Sequence, residues 1–438
     1  MRRRLSFLLL LAGCASPAAP PASTAFASVA AVAAVAVEDA AQPAPGAITP
    51  PTASGDLVFD QWASDFEARA LAAGIAPGVF RREMAGLTPD PRVASLDSRQ
   101  PEFSKPIGDY LKGVVTSDRI AIGQRRHADV AEFPAIEAKY GVPRDILLGV
   151  WALESGFGSI QGDNDTLRAL ATLAAQGRRR DWAEGEIIAT LKIIQSGEHP
   201  RARLRGSWAG AMGQTQFIPT TFLATAVDQD GVGRRDIWAS RADALASAAN
   251  LLAKAGWVRG QTWAREVTVP PGFDFSLTEG PRETPGWWAE KGVKRADGLP
   301  WPAADAEAKA QFMAPAGANG PLFLLFPNHF ALREYNNSLS YALGVGILAD
   351  RFAGRGPTLR PWPQETPLSL VDRLTAQRAL AALGFDPGQP DGVVGMGTRK
   401  ALREWQKARG LTADGYLSAD MVRRLREEAS AAPAAPAG

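Results

Sequence analysis

In the run Leu147-Leu148-Gly149-Val150-Trp151-Ala152-Leu153-Glu154-Ser155-Gly156-Phe157-Gly158, a single carboxylate closes an otherwise apolar segment. Leu147, Val150 and Trp151 precede Glu154 by seven, four and three positions, so on an α-helix all four side chains share one face. An acid on an apolar face at the negative end of a helix is harder to ionise, and both effects raise its pKa. A carboxyl group that keeps its proton near neutral pH can act as a general acid. A glutamate at a helix end also serves simply to hold the following turn, so this helix alone leaves both roles open.

Two further stretches carry polar groups at suggestive spacing. In Ser207-Trp208-Ala209-Gly210-Ala211-Met212-Gly213-Gln214-Thr215-Gln216-Phe217-Ile218-Pro219, small residues would let a bulky ligand approach the backbone. Ser207, Gln216 and Phe217 add polar and aromatic contacts of the kind sugars use. Read alone, the stretch suits tight packing between helices equally well. Asp228, Asp230, Gly233 and Asp236 occupy the first, third, sixth and ninth positions of a calcium-loop pattern. Val232 and Ala239 fill the fifth and twelfth, where two carboxylates are missing, including the usual bidentate one. The expectation is a protein that needs no cofactor, with a metal-free turn held by Arg234 or Arg235 and calcium as the weaker alternative.

Composition narrows the setting. The chain has 438 residues, 46% hydrophobic and 21% charged, with a net charge of +2, which suits two or three globular domains. No long basic run interleaved with aromatics occurs, which excludes an ordinary nucleic-acid partner. His127, His199 and His329 are scattered, and with one cysteine they cannot build a Cys/His zinc site. No Gly-x-Ser-x-Gly elbow accompanies any of them. The cysteine has an address instead: Met1-Arg2-Arg3-Arg4, an apolar run from Leu5 to Leu11, then Leu11-Ala12-Gly13-Cys14. This resembles a bacterial lipobox, which implies a signal peptide over residues 1–13, acylation at Cys14 and a lipid anchor in the envelope. Ala15 lacks the acidic residue that would favour the inner membrane, so a periplasm-facing outer-membrane lipoprotein is expected.

The elements that must position Glu154 follow from the chain in order. Residues 14–54 are rich in Ala and Pro and read as a tether. From Leu57 to about Leu252 the apolar spacing is helical, with Phe59, Trp62, Phe66 and Leu71 setting the pattern. Between Trp257 and Phe330 the pattern turns irregular, with strands predicted at Thr262–Val269, Lys309–Met313 and Leu322–Phe326. Helix resumes over Ser338–Phe352. Residues 354–367, with four prolines, read as a linker between a domain at 55–353 and a second at 368–430. The second unit carries a weak repeat, Asp391-Gly392 and Asp414-Gly415, each followed by a helix.

In that unit Leu374, Gln377, Leu380, Leu383-Gly384-Phe385, Asp391-Gly392, Thr398, Trp405-Gln406 and Asp414-Gly415 resemble the three-helix peptidoglycan-binding domain of wall enzymes. The Glu154 motif, Arg168 to Ala174, Ser207 to Pro219 and Arg333-Glu334-Tyr335-Asn336-Asn337-Ser338 with Tyr341 resemble the membrane-bound lytic murein transglycosylase B family. The resemblance implies a mainly α, lysozyme-like catalytic domain with a small β-containing insert. Its expected activity is non-hydrolytic cleavage of the β-1,4 bond between N-acetylmuramic acid and N-acetylglucosamine. It places the catalytic acid at Glu154 and glycan contacts at Ser207, Gln216, Phe217, Tyr335, Asn336 and Tyr341, extending to Tyr110, Arg178, Arg179 and Trp182. The Arg178-Arg179-Arg180 run suits wall carboxylates or a solvated surface alike. Alternatives are a hydrolytic muramidase and a non-catalytic wall-binding scaffold.

Overall fold

The structure is a computed structural model that describes residues 54–98 and 103–431. The expected signal peptide, Cys14 and the tether as far as residue 53 lie outside the described residues.

Helix α1 (Leu57–Ala72) starts at Asp56, whose side chain accepts the N–H groups of Val58 and Phe59. Its buried stripe, Phe59, Trp62, Phe66 and Ala70, joins α2 (Pro77–Met84) and α3 (Pro91–Ser98) in one core. A second core is built by α4 (Ile107–Val114), α5 (Ser117–Asp129), α6 (Phe133–Tyr140) and α7 (Arg144–Ser155). Helices α8 (Thr166–Ala175) and α9 (Arg180–Gln195) return to the first core. After them come α10 (Pro219–Thr225), α11 (Arg241–Lys254), α12 (Pro285–Glu290), α13 (Pro327–Tyr335) and α14 (Leu339–Phe352). Helix α13 falls partly where an irregular stretch was expected, because Pro327 opens a helix at its first position and does not interrupt one. Pro143 is the N-cap of α7.

The strands are short. Strand β1 (Phe103–Ser104) belongs to a two-stranded pair closed late in the chain, and β2 (Asn164–Asp165) pairs with β3 (Arg205–Gly206). The insert is a five-stranded antiparallel sheet of β4 (Ala264–Thr268), β5 (Arg282–Glu283), β6 (Lys294–Arg295), β7 (Ala310–Met313) and β8 (Leu322–Leu325), in the order β5-β7-β8-β4-β6. Strand β8 is buried along its whole length, as its unbroken apolar run requires. Strand β9 (Leu368–Ser369) pairs back to β1.

The C-terminal unit is the expected three-helix module, α15 (Leu370–Ala382), α16 (Met396–Ala408) and α17 (Ala419–Ala431), closed over Leu380, Leu402, Trp405 and Leu425. The proline-rich segment before it is anchored to the first domain. Trp362 stacks on Phe323 with ring centroids 6.2 Å apart, and the N–H groups of Leu359 and Arg360 donate to Glu266.

What matters most for Glu154 is the contact of α7 with α14. Gly149 lets the two helices close, since a Cβ there would fall 2.7 Å from the carbonyl oxygen of Val345. Gly344 of α14 likewise faces Leu153 of α7 and Tyr110 of α4. Glycines at the crossing therefore bring three helices to one point.

Candidate active site

Helix α7 ends at Gly156 in a left-handed conformation, with the Gly156 N–H donating to Ala152 and the Phe157 N–H to Trp151. This fixes the last turn, and Glu154 with it. Glu154 is half-buried, and Tyr341 Oη donates to its Oε1 at 2.6 Å. Burial pushes the Glu154 pKa up to about 7, while the Tyr341 hydrogen bond pulls the other way by favouring the ion. Burial also pushes Tyr110 up to about 12 and lifts Tyr335 and Tyr341 well above the ordinary phenol range, and the Glu154 charge adds to each. Among the described residues no second carboxylate perturbs Glu154.

The aromatic wall continues from there. Tyr341 stacks on Tyr335 at 6.3 Å, and Tyr335 meets Phe217 at 5.8 Å and donates its hydroxyl to the Thr215 carbonyl. Phe217, Tyr335, Tyr341 and Glu154 thus form one line drawn from α7, the 207–217 loop, α13 and α14. Asn336 ends α13 in extended backbone beside Tyr335.

The 207–217 stretch is not helical but a folded loop, cross-bridged from Gly206 to Met212 and from Met212 to Phe217, and its Gly210 packs tightly on Leu170 of α8. Ser207 is buried and its hydroxyl accepts the N–H groups of Ala209 and Ala211. Gln216 holds a positive φ of 50°, and its amide donates to the carbonyls of Gln161 and Gly213. Such backbone strain persists only where the surroundings enforce it.

Sequence reasoning missed Gln214. Its Oε1 accepts Trp151 Nε1 at 3.0 Å, its carbonyl accepts Ser155 Oγ at 2.7 Å and its Nε2 donates to Trp238. It clamps the loop to the turn that bears Glu154. A partner 63 positions away leaves no local signal. Arg119, whose charge acts on Tyr110 from the start of the next helix, was also missed.

Arg178, Arg179 and Trp182 gather at the start of α9. Arg178 pairs with the buried Asp97 on α3, and the Arg179 guanidinium lies 3.9 Å from the centre of the Trp182 ring. A cavity of about 680 Å³ lies between the C-terminal module and the first domain, reaching the Tyr341 neighbourhood only at Leu339 and Ser340.

The acidic loop differs from the expected set. Asp228 and Asp230 are joined by Asp243, with ligand oxygens within 4.8 Å of one another. Asp236 instead pairs with Arg203 and accepts the N–H groups of Trp238 and Ala239. Asp243 reaches the loop because Ser240 caps α11 and turns its first helical residues toward it. The carboxylates already accept hydrogen: Asp228 from Gly231, Val232 and Gly233, and Asp243 from Gln229, Asp230 and Asp236. The loop is closed largely by its own backbone; of the two arginines expected to hold it, Arg234 lies 3.9 Å from Asp236, while Arg235 pairs away with Glu198.

A mainly helical domain with one half-buried glutamate beneath an aromatic wall, joined to a three-helix module, has a lysozyme-like architecture. Residues 58–350 match the family model of the transglycosylase SLT domain and residues 370–425 that of a peptidoglycan binding domain, and the chain belongs to the transglycosylase SLT family. It is 29% identical over 220 residues to the membrane-bound lytic murein transglycosylase B of Escherichia coli (strain K12), a match spanning 49% of this chain and 58% of that relative. SltB3 from Pseudomonas aeruginosa, solved with NAG-anhNAM-pentapeptide and with NAG-NAM-pentapeptide, is 46% identical with a TM-score of 0.81, covering 85% of this chain and 100% of SltB3. The Escherichia coli lytic transglycosylase Slt35 in complex with calcium is 25% identical with a TM-score of 0.56, covering 67% of this chain and 92% of that one.

Proposed function

We propose that this chain is a murein lytic transglycosylase that cleaves the β-1,4 bond between N-acetylmuramic acid and N-acetylglucosamine without water. The observation that carries the reading is the solitary Glu154 with its pKa near 7. Glycosidases that hydrolyse use two carboxylates, one as acid and one as base or nucleophile. Here the acids nearest in sequence serve elsewhere or stand in solvent: Asp145 lies 2.6 Å from His127 Nε2, Asp165 pairs with Arg201 at 2.9 Å and Asp163 is exposed.

One carboxyl suffices if the substrate supplies the nucleophile. Protonated Glu154 gives its proton to the glycosidic oxygen as the C1–O bond breaks, leaving a carboxylate. Tyr341, already donating to Oε1, stabilises that ion. The carboxylate then takes the proton of the muramic acid's own C6 hydroxyl as its oxygen bonds to C1. The product is a 1,6-anhydro sugar, and Glu154 is protonated again. The molecule bound to SltB3, NAG-anhNAM-pentapeptide, is of this product class. Tyr335 is the half-buried ring of this wall that a sugar can pack against, with Phe217 and Tyr341 buried beside it and Asn336, Gln216, Ser207 and Tyr110 nearby. The route calls for no cofactor, and calcium at Asp228, Asp230 and Asp243 would act only on the stability of that loop.

Mass spectrometry of soluble products from purified peptidoglycan tests the reading. Anhydromuropeptides are expected; reducing muropeptides would mean hydrolysis, and no product would leave the wall-binding scaffold. We place the protein on the periplasmic face of the outer membrane, anchored through Cys14. Cys14→Ala should abolish metabolic palmitate labelling, and unchanged labelling would remove the anchor.

A further inference from the structure

Helix α4 carries Tyr110 and has little of its own to hold it in place. Eight residues are too few for a helix that stands by itself in water. It starts at Pro106 with no side-chain cap, so its position is set by what packs on it. Tyr110 meets α14, its Cε1 lying 3.4 Å from where a Cβ on Gly344 would fall. It is also close enough to Glu154 for that charge to act on its phenol.

The opposite side of α4 is covered by the proline-rich segment. Two positions along a helix turn the chain by about 200°, so Gly108 and Tyr110 look away from one another. Gly108 is buried under Trp362: a Cβ there would fall 3.0 Å from Trp362 Cβ and 3.4 Å from the Pro363 carbonyl oxygen. A glycine lets the segment lie this close on the helix. The Trp362 ring stacks on Phe323 of β8 with 24° between their planes, and it packs against the same core as Tyr110.

The segment is itself fastened on both sides of Trp362. Before it, the N–H groups of Leu359 and Arg360 donate to Glu266 of β4 at 2.7 and 2.8 Å. After it, Glu365 accepts Tyr416 Oη of the C-terminal module at 2.6 Å. Strand β9 then pairs with β1, which leads through Lys105 and Pro106 into α4. The module is bound to the insert besides, with Arg399 and Arg403 both on Glu279. Residues 359–369 thus form a strap drawn across α4 between the insert and the module. Trp362 stands at its middle, where the proline pattern implies only a spacer.

We propose that Trp362 is a positioning residue for the reaction: it presses α4 toward α14 and so sets where Tyr110 stands beside Glu154 and the sugar. The proposal rests on the reading of Tyr110 as a glycan contact, and it adds that the connection between the domains is part of the frame of the site. Without the indole, α4 withdraws from α14 and the phenol moves with it. A misplacement of about 1 Å is enough to cost a large factor in rate.

The test is a double-mutant cycle in the full-length chain, read as kcat and KM on a soluble tetrasaccharide of alternating NAG and NAM with its peptides, so that retention on sacculi plays no part. Trp362→Ala should lower kcat/KM about tenfold in the parent but less than about twofold in a Tyr110→Ala background, since a ring that is absent cannot be misplaced. Trp362→Phe keeps a flat ring on Phe323 and over Gly108, and it should recover most of the loss. Equal losses in the two backgrounds overturn the proposal, because they mean a general loosening of the fold that bypasses Tyr110. An unchanged kcat/KM in Trp362→Ala overturns it too, as does a phenylalanine variant as poor as the alanine one. A parent that cuts nothing would overturn the reaction and this proposal with it, whereas additive losses in an active parent overturn the proposal alone.

Discussion

Replacing Glu154 by glutamine tests the reasoning about its proton through stability as well as activity. In the unfolded chain the carboxyl titrates at 4.5, and in the folded protein burial lifts it to about 7. Below pH 4.5 both states hold the proton and Glu154 contributes no pH dependence. Between 4.5 and 7 the folded state holds more protons than the unfolded, so stability falls as pH rises. Above 7 the whole cost of burying the charge is present, and at 1.36 kcal/mol per pH unit it amounts to about 3 kcal/mol. Glutamine keeps an oxygen for the Tyr341 hydroxyl but cannot ionise. Glu154→Gln should therefore match the parent at pH 4.5 and exceed it by about 3 kcal/mol at pH 8.5. Urea unfolding at a series of pH values reads the difference directly, and the other raised acids, such as Glu186 and Asp350, cancel because both proteins share them. Cleavage should be lost throughout. Parallel stability curves would refute the claim that Glu154 is held protonated by burial, even if the variant were inactive.

The same proton governs the pH profile: kcat/KM of the parent should hold below pH 7 and decline above it as Glu154 ionises. Tyr341→Phe removes a hydrogen bond that favours the ion, so the alkaline limb should move up by about 1 pH unit, and an unmoved limb would deny Tyr341 its place beside Glu154. Gly149→Ala would drive a methyl into the Val345 carbonyl, and chemical denaturation should show a loss of about 1–3 kcal/mol with catalysis falling in step. Calcium should leave the melting temperature where it was, since the loop carboxylates already accept their own backbone N–H groups. A rise of several degrees reversed by a chelator would show that the ion displaces those bonds.

Much of this protein is written locally. The apolar face ending in Glu154 follows from spacing along α7, because helical periodicity is a property of adjacent residues. The strands at 264–268, 310–313 and 322–325 and the paired Asp-Gly turns were legible for the same reason. The missed helix at Pro327–Tyr335 hid behind a proline whose effect depends on whether it falls at the first turn or inside it. Other features exist only between distant segments. Nothing near Glu154 in the chain announces Tyr341, 187 positions away, whose hydroxyl tunes it, nor Gln214, which clamps its turn to the loop. Asp243 replaces Asp236 in the acidic cluster because α11 turns back on the loop. The residue types that can do the chemistry were fixed by sequence. Which acid is buried and which phenol reaches it were decided by packing, since burial and hydrogen-bond partners are set by what the rest of the chain brings to each place.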